Sequence, residues 1–192
     1  MPRPPHGRTV VAYLHQFLGA GVGHFGQAAN VDAAHHLVKT IMPLVWDRVP
    51  TIQCVLAGRA MPASVLALAG PRIVVMPDVD DMAKVYATAR LTAAPLRFGA
   101  GLKGKVVESL AAGIPCVCSP IAAEGLDLPP PLQSRVRATP EALADQIVAL
   151  HTSQAENHAA ADAGIAFVTA RFSEAALDAA LRAAIGPVLR QV

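Results

Sequence analysis

A doubly wound parallel α/β sheet is the fold this sequence predicts, and three observations predict it. Short β-branched apolar runs alternate with helical patterns along most of the chain. The strand-like runs, such as Ile52-Gln53-Cys54-Val55-Leu56 and Pro115-Cys116-Val117-Cys118, are continuous rather than alternating, which suits strands covered on both faces. The length, 192 residues, suffices for one α/β domain with a sizeable core and falls short of the usual size of two.

The first strand falls at Thr9–Leu14 or at Leu18–Val22, with residues 1–17 as an N-terminal extension in the second case. A helical pattern follows over Asn30–Val49, opened by Asn30 as N-cap with Asp32 in its first turn. Thr51–Ala57 reads as a strand, Ala63–Ala69 as a helix, Arg72–Met76 as a strand and Asp80–Ala89 as a helix, with Asp80 as the cap. Leu91–Ala94, Gly104–Ala112 and Pro115–Ser119 continue the alternation as strand, helix and strand. Beyond the proline run Pro129-Pro130-Pro131 comes a short strand around Arg135–Arg137, then Ala-rich helices over 140–192 with turn signals near Thr152, Gly164 and Ser173. The whole, 1–192, reads as a single domain without repeats or linkers.

Composition narrows the function. Hydrophobic residues make up 53% and charged residues 16%, with a net charge of +2, so neither a disordered polyelectrolyte nor a nucleic-acid binder relying on bulk charge is expected. Every apolar run is broken well before the roughly 18 residues a spanning helix needs, so no transmembrane segment is expected. The N-terminal stretch has no small-residue cleavage site, which points to a cytoplasmic protein. Cys54, Cys116 and Cys118 sit in strand-like runs and read as buried free thiols rather than disulfide or metal partners.

In an open parallel sheet, ligands bind beyond the carboxyl ends of the strands. One such loop concentrates chemistry: Pro95-Leu96-Arg97-Phe98-Gly99-Ala100-Gly101-Leu102-Lys103-Gly104-Lys105-Val106-Val107-Glu108. Lys103 and Lys105 fall at a helix N-terminus, where the macrodipole disfavours a bare cation by about 0.3–1 kcal/mol, and an anion between them removes the conflict. Gly99, Gly101 and Gly104 leave room for backbone amides to approach that anion, and Arg97 offers a bidentate contact. Glu108 lies one turn inside on the same helix edge as Gly104; a carboxylate there calls for hydroxyl donors such as a ribose diol. The competing reading makes the lysines solvated surface charges and the glycines an ordinary turn.

From Pro95 to Pro115 the segment resembles the donor-nucleotide motif of the group 1 glycosyltransferases, retaining enzymes of GT-B fold. The likeness extends through Ser119-Pro120 to Glu124-Gly125-Leu126, and upstream to Asn30-Val31-Asp32-Ala33, Pro77-Asp78-Val79 and Tyr86-Ala87, covering about Gly23 to Phe172. It implies a Rossmann-like domain, the C-terminal donor-binding half of such an enzyme with extra C-terminal helices. By that resemblance Glu108 holds the ribose of a nucleoside diphosphate sugar, the Gly101–Lys105 turn holds its diphosphate, and the Val79 backbone meets the base. Lys103 and Lys105 would stabilise the departing diphosphate, while Gly23, His24 and Glu124 lie where the donor is expected. The implied activity is hexosyltransferase-type transfer to a hydroxyl acceptor, with no cofactor and no obligatory metal. The acceptor-binding N-terminal domain of the family has no counterpart in this chain.

Two positions depart from the family pattern. A Glu commonly stands eight residues before the ribose-binding one, where this chain has Ala100, and the basic pair expected after the first strand is missing from Gly23-His24-Phe25-Gly26-Gln27. A non-catalytic nucleotide-binding or interaction module therefore stays open beside the enzyme. An NAD-dependent oxidoreductase is a second alternative, since Gly21-Val22-Gly23-His24-Phe25-Gly26 matches the dinucleotide fingerprint. Its required acid about twenty residues on would be Asp47, which falls in a helical pattern instead of at a strand end. Asp78-Val79-Asp80 resembles a metal-binding D-x-D, but no further oxygen ligands accompany it. His35 and His36 read as packing or surface residues.

Overall fold

The computed structural model describes the backbone of residues 10–15 and 27–189 and the side chains of 27–183. Five strands, β1 (Val10–His15), β2 (Gln53–Gly58), β3 (Ile73–Pro77), β4 (Leu91–Ala94) and β5 (Cys116–Cys118), form one sheet in the order β3-β2-β1-β4-β5. Every pairing is parallel, with Val11 opposite both Cys54 and Leu91 and Thr92 opposite Cys116. Of the two positions considered for the first strand, the earlier is used. Val10–His15 bonds to β2 on one side and β4 on the other, so it is the centre of the sheet and not an extension; Leu18–Val22 lies outside the described residues.

Burial on both faces follows from the continuous apolar runs. Cys54 and Leu56 of β2 enter the larger core, whereas Val55 and Ala57 face a smaller one built from Met82, Val85, Tyr86, Ala89 and Ile114. Cys54, Cys116 and Cys118 are all buried free thiols, and burial pushes the Cys54 thiol up to about 12.

The helix expected over Asn30–Val49 consists of α1 (Ala28–His36), a π-helical turn (Leu37–Ile41) and α2 (Met42–Trp46). Pro43 explains the change of pitch. It has no N–H to give Lys39, and its ring crowds that carbonyl, so the wider turn, closed by the Met42 N–H on Leu37 O, precedes it. Asn30 is not the cap; Gln27 is, and Asn30 is buried inside the first turn. The short helices α3 (Ala63–Leu66) and α4 (Met82–Tyr86) follow. Asp81, not Asp80, caps α4: its Oδ1 accepts the Ala83 N–H at 3.0 Å, while Asp80 faces Arg59 at 3.7 Å.

Helix α5 (Gly104–Ala111) ends as its glycine stop requires. Gly113 has φ +71°, and the Gly113 and Ile114 amides donate back to Leu110 and Ser109 carbonyls at 3.0 Å. Ser109, fully buried, donates to Ile114 O at 2.9 Å and meets the Thr92 hydroxyl at 2.6 Å, fixing α5 against β4.

Helices α6 (Pro120–Ala123), α7 (Pro130–Gln133), α8 (Pro140–Thr152), α9 (Gln154–Phe172) and α10 (Glu174–Leu189) complete the chain, turning at Ser153 and Ser173. The strand expected around Arg135–Arg137 reduces to one parallel bridge, Val136 with Cys118. Gly164 is not a turn. It is buried within α9, where an added Cβ would stand 2.9 Å from Leu110 Cδ2 and 3.3 Å from Leu110 Cβ, so it lets α9 approach α5. Among the described residues no helix is long and apolar enough to cross a membrane.

Gly164→Ala is expected to cost stability: overpacking against the buried Leu110 costs about 1–3 kcal/mol, more than the ~1 kcal/mol gained in helix propensity. Denaturant unfolding checks this, with Leu110→Ala in the same chain expected to relieve the clash; a net gain for Gly164→Ala alone would contradict the close approach.

Candidate functional site

Adjacent strands β1 and β4 are followed by α1 and α5, and polar side chains link the first turns of α1 to the loop and first turn leading into α5. The β4–α5 loop depends on two glycines with left-handed backbone: Gly99 at φ +128° and Gly101 at φ +77°. At Gly99 an added Cβ would make only an ordinary contact with Ala29 of α1, at 3.7 Å, so the backbone angle and not space calls for glycine there. Gly104 opens α5 as its first residue. Ser119, which caps α6, ties the end of β5 to the loop by donating to Leu96 O at 2.6 Å.

The two lysines are not solvated surface charges. Lys103 is buried, and its ammonium donates to the Gly101 carbonyl and, at 3.4 Å, to that of Gly99, so it folds back into its own loop. Lys105 is half-buried and donates to Asn30 Oδ1 at 2.7 Å. Burial, opposed by the nearby Cys116 and Glu108 and reinforced by Lys103, brings the Lys105 amine down to about 7. Burial likewise raises the Glu108 carboxyl, against the pull of Lys105. Lys103, Lys105 and Glu108 thus form one group at the N-terminal end of α5.

Arg97 is engaged elsewhere. Its guanidinium grips the Asp32 carboxylate of α1 with two bonds, Nε to Oδ2 at 2.9 Å and Nη2 to Oδ1. Those bonds hold the Asp32 carboxyl below its ordinary value. A shallow groove on this side is lined by Val31, Asp32, His35, Pro62, Ser64 and Phe98; neither Lys105 nor Glu108 lines it. Burial lowers both His35 and His36.

Val79 follows β3, half-buried against the smaller core with Tyr86, whose hydroxyl burial raises, and Glu108 adds to that rise. Glu124 is exposed at the end of α6, and Ala100 is exposed in the β4–α5 loop. Gly23 and His24 lie outside the described residues. Asp47 ends α2 and not a strand, so it does not occupy the place of the dinucleotide-binding acid. Among the described residues no group of three or more His, Cys, Asp or Glu is placed to hold a metal. The sequence offers Asn30 as a cap with Asp32 in the first turn and includes both in the family likeness; their links to Lys105 and Arg97 come from residues 75 and 65 positions away, which no local spacing shows.

With this geometry, a family profile described as glycosyl transferases group 1 matches residues 19–153. The chain belongs to the group 1 glycosyl transferases. Solved glycosyltransferase structures share its fold: S. aureus TarM, in complex with fondaparinux, alpha-GlcNAc-glycerol and UDP, superposes with a TM-score of 0.73 at 12% identity over 94% of this chain. Sucrose-phosphate synthase from Thermosynechococcus elongatus gives 0.69 at 20% identity over 97%, and Anabaena HepE, in complex with UDP and glucose, gives 0.67 at 14% over 96%. At these identities the likeness establishes the fold, a Rossmann-like half of the GT-B architecture. The chain spans 36%, 46% and 49% of those three proteins. No curated protein matches it in sequence.

The depressed Lys105 amine makes a stability prediction for this chain. Its folded value of about 7 lies below the ordinary 10.5, so between those values the unfolded chain binds more protons and rising pH stabilises the fold. Relative to Lys105→Gln, the parent should gain up to roughly 1.4 kcal/mol per pH unit across that window. Chemical denaturation of both proteins at a series of pH values checks it; a pH-independent difference would place the amine in water.

Proposed function

We propose that this chain is the donor-binding half of a retaining glycosyl transferase, taking a nucleoside diphosphate sugar for transfer to a hydroxyl acceptor. The observation that carries the reading is the cation held back at the start of α5. Lys105 sits beside Lys103 at a helix N-terminus, and burial and like charge both disfavour its ammonium. A diphosphate lying over the Gly99–Lys105 loop would relieve both penalties, accept amide hydrogen bonds and restore the charged amine.

In this reading the Glu108 carboxyl, raised by burial, accepts the hydroxyls of the ribose, and the backbone after β3 at Val79 meets the base. Lys105 and the α5 amides stabilise the charge that grows on the leaving diphosphate. By the family resemblance, the leaving group assists the incoming hydroxyl, so the protein positions groups and adds charge rather than supplying a nucleophile. The acceptor would be held by a second domain, as the fraction of the solved enzymes spanned by this chain suggests. Transfer by these residues alone is then not expected. One feature favours a binding module without catalysis: at Ala100 a methyl replaces the carboxylate that the family commonly directs at the donor sugar.

A nucleoside diphosphate should bind more tightly than the corresponding monophosphate in calorimetric titration, and Glu108→Ala should weaken binding by about 1.5–3 kcal/mol without unfolding the chain. Equal affinity for the two nucleotides would remove the phosphate cradle, and normal binding by the variant would remove the ribose contact.

A further inference from the structure

We infer that Asn30 and Asp32 of α1 are positioning residues of the donor site, a bracket that sets the β4–α5 loop before a nucleotide arrives. The inference rests on the donor-site reading above and adds two residues that touch no ligand in it. Two contacts reach across from α5 and its loop to the first turns of α1: Lys105 Nζ to Asn30 Oδ1 at 2.7 Å, and the two-bonded Arg97–Asp32 pair. The bracket therefore grips the loop on both sides of Gly99 and Gly101, the two residues with left-handed backbone and the most conformational freedom to lose when the loop is ordered.

The two grips divide the work. Asp32 neutralises Arg97, so that cation orients the loop in place of engaging phosphate. Asn30, buried at 3% exposure, gives Lys105 a neutral oxygen, which fixes where the ammonium points without cancelling its charge. Its Nδ2 donates in turn to Gln27 Oε1 at 3.4 Å, at the helix cap. A carboxylate in place of Asn30 would hold Lys105 as firmly but would compete with the phosphate for it. Among the described residues, the charged or titratable groups that act on Lys105 include Lys103 and Glu108 from its own segment and the Cys116 thiol from β5.

The test is calorimetric titration of the chain with UDP, ADP and GDP between about pH 7 and 9, where the terminal phosphate is ionised. The tightest binder is carried through Asn30→Ala, Asn30→Asp and Asp32→Asn. Asp145→Asn, which breaks the comparable surface pair of Arg48 and Asp145 at 2.7 Å, is the control. Asn30→Ala and Asp32→Asn should each weaken binding roughly tenfold, with the control unchanged. Asn30→Asp should move the pH at which affinity falls to a higher value, because a facing carboxylate favours the protonated amine; a merely structural asparagine would leave that pH unmoved. Should Asn30→Ala fail to fold, Asn30→Asp and Asp32→Asn still decide. Parent-like affinity and pH profile in these variants would overturn the bracket while the donor site stands. A parent chain that binds none of the three nucleotides would overturn both.

Discussion

Because β1 and β4 lie side by side while the chain runs outward through β2 and β3 between them, the first turns of the helices that follow these two strands meet beyond the carboxyl ends of the central strands. All else at the site depends on this adjacency. Each helix brings unsatisfied N–H groups and the positive end of a dipole to the same place, the loop between β4 and α5 adds Arg97 and Lys103, and the first turn of α5 adds Lys105. Such a concentration of positive charge is unfavourable in a ligand-free protein unless each cation has somewhere to go.

The fold resolves that conflict differently for each cation. Arg97 is matched by a carboxylate, Lys103 is taken up by carbonyls of its own loop, and Lys105 rests on an amide oxygen with its proton held weakly. Of the three, Lys105 gains most from an arriving anion, and it sits beside Glu108, the carboxyl suited to hydroxyls. In the proposed function, stability and binding are therefore opposed at one residue: burial that weakens the empty fold would strengthen its hold on a diphosphate.

Much of this was legible in the sequence. The doubly wound sheet, the strand–glycine loop–helix segment and the glycine stop at Gly113 follow from local rules of period, turn chemistry and capping, and the structure reproduces them. What local rules misjudged was tertiary in origin. Asn30 has the residue type of a cap, yet the helix starts two residues earlier and its side chain serves a partner 75 positions away. Arg97 offers a bidentate contact to an anion on sequence grounds, and in the structure it makes one to Asp32 across the loop, which no spacing along the chain reveals. Gly164 carries the signature of a turn, and only the approach of Leu110 shows why a helix tolerates it. Lys103 was expected to face an anion, and the curl of its own loop turns it inward.

Amide hydrogen exchange with and without a saturating nucleoside diphosphate tests the phosphate cradle most directly. Slowed exchange is expected at the amides from Gly101 to Val106, the loop and first turn of α5, with α8 unchanged. Unaltered exchange across that stretch, with the nucleotide demonstrably bound and protecting amides elsewhere, would contradict it.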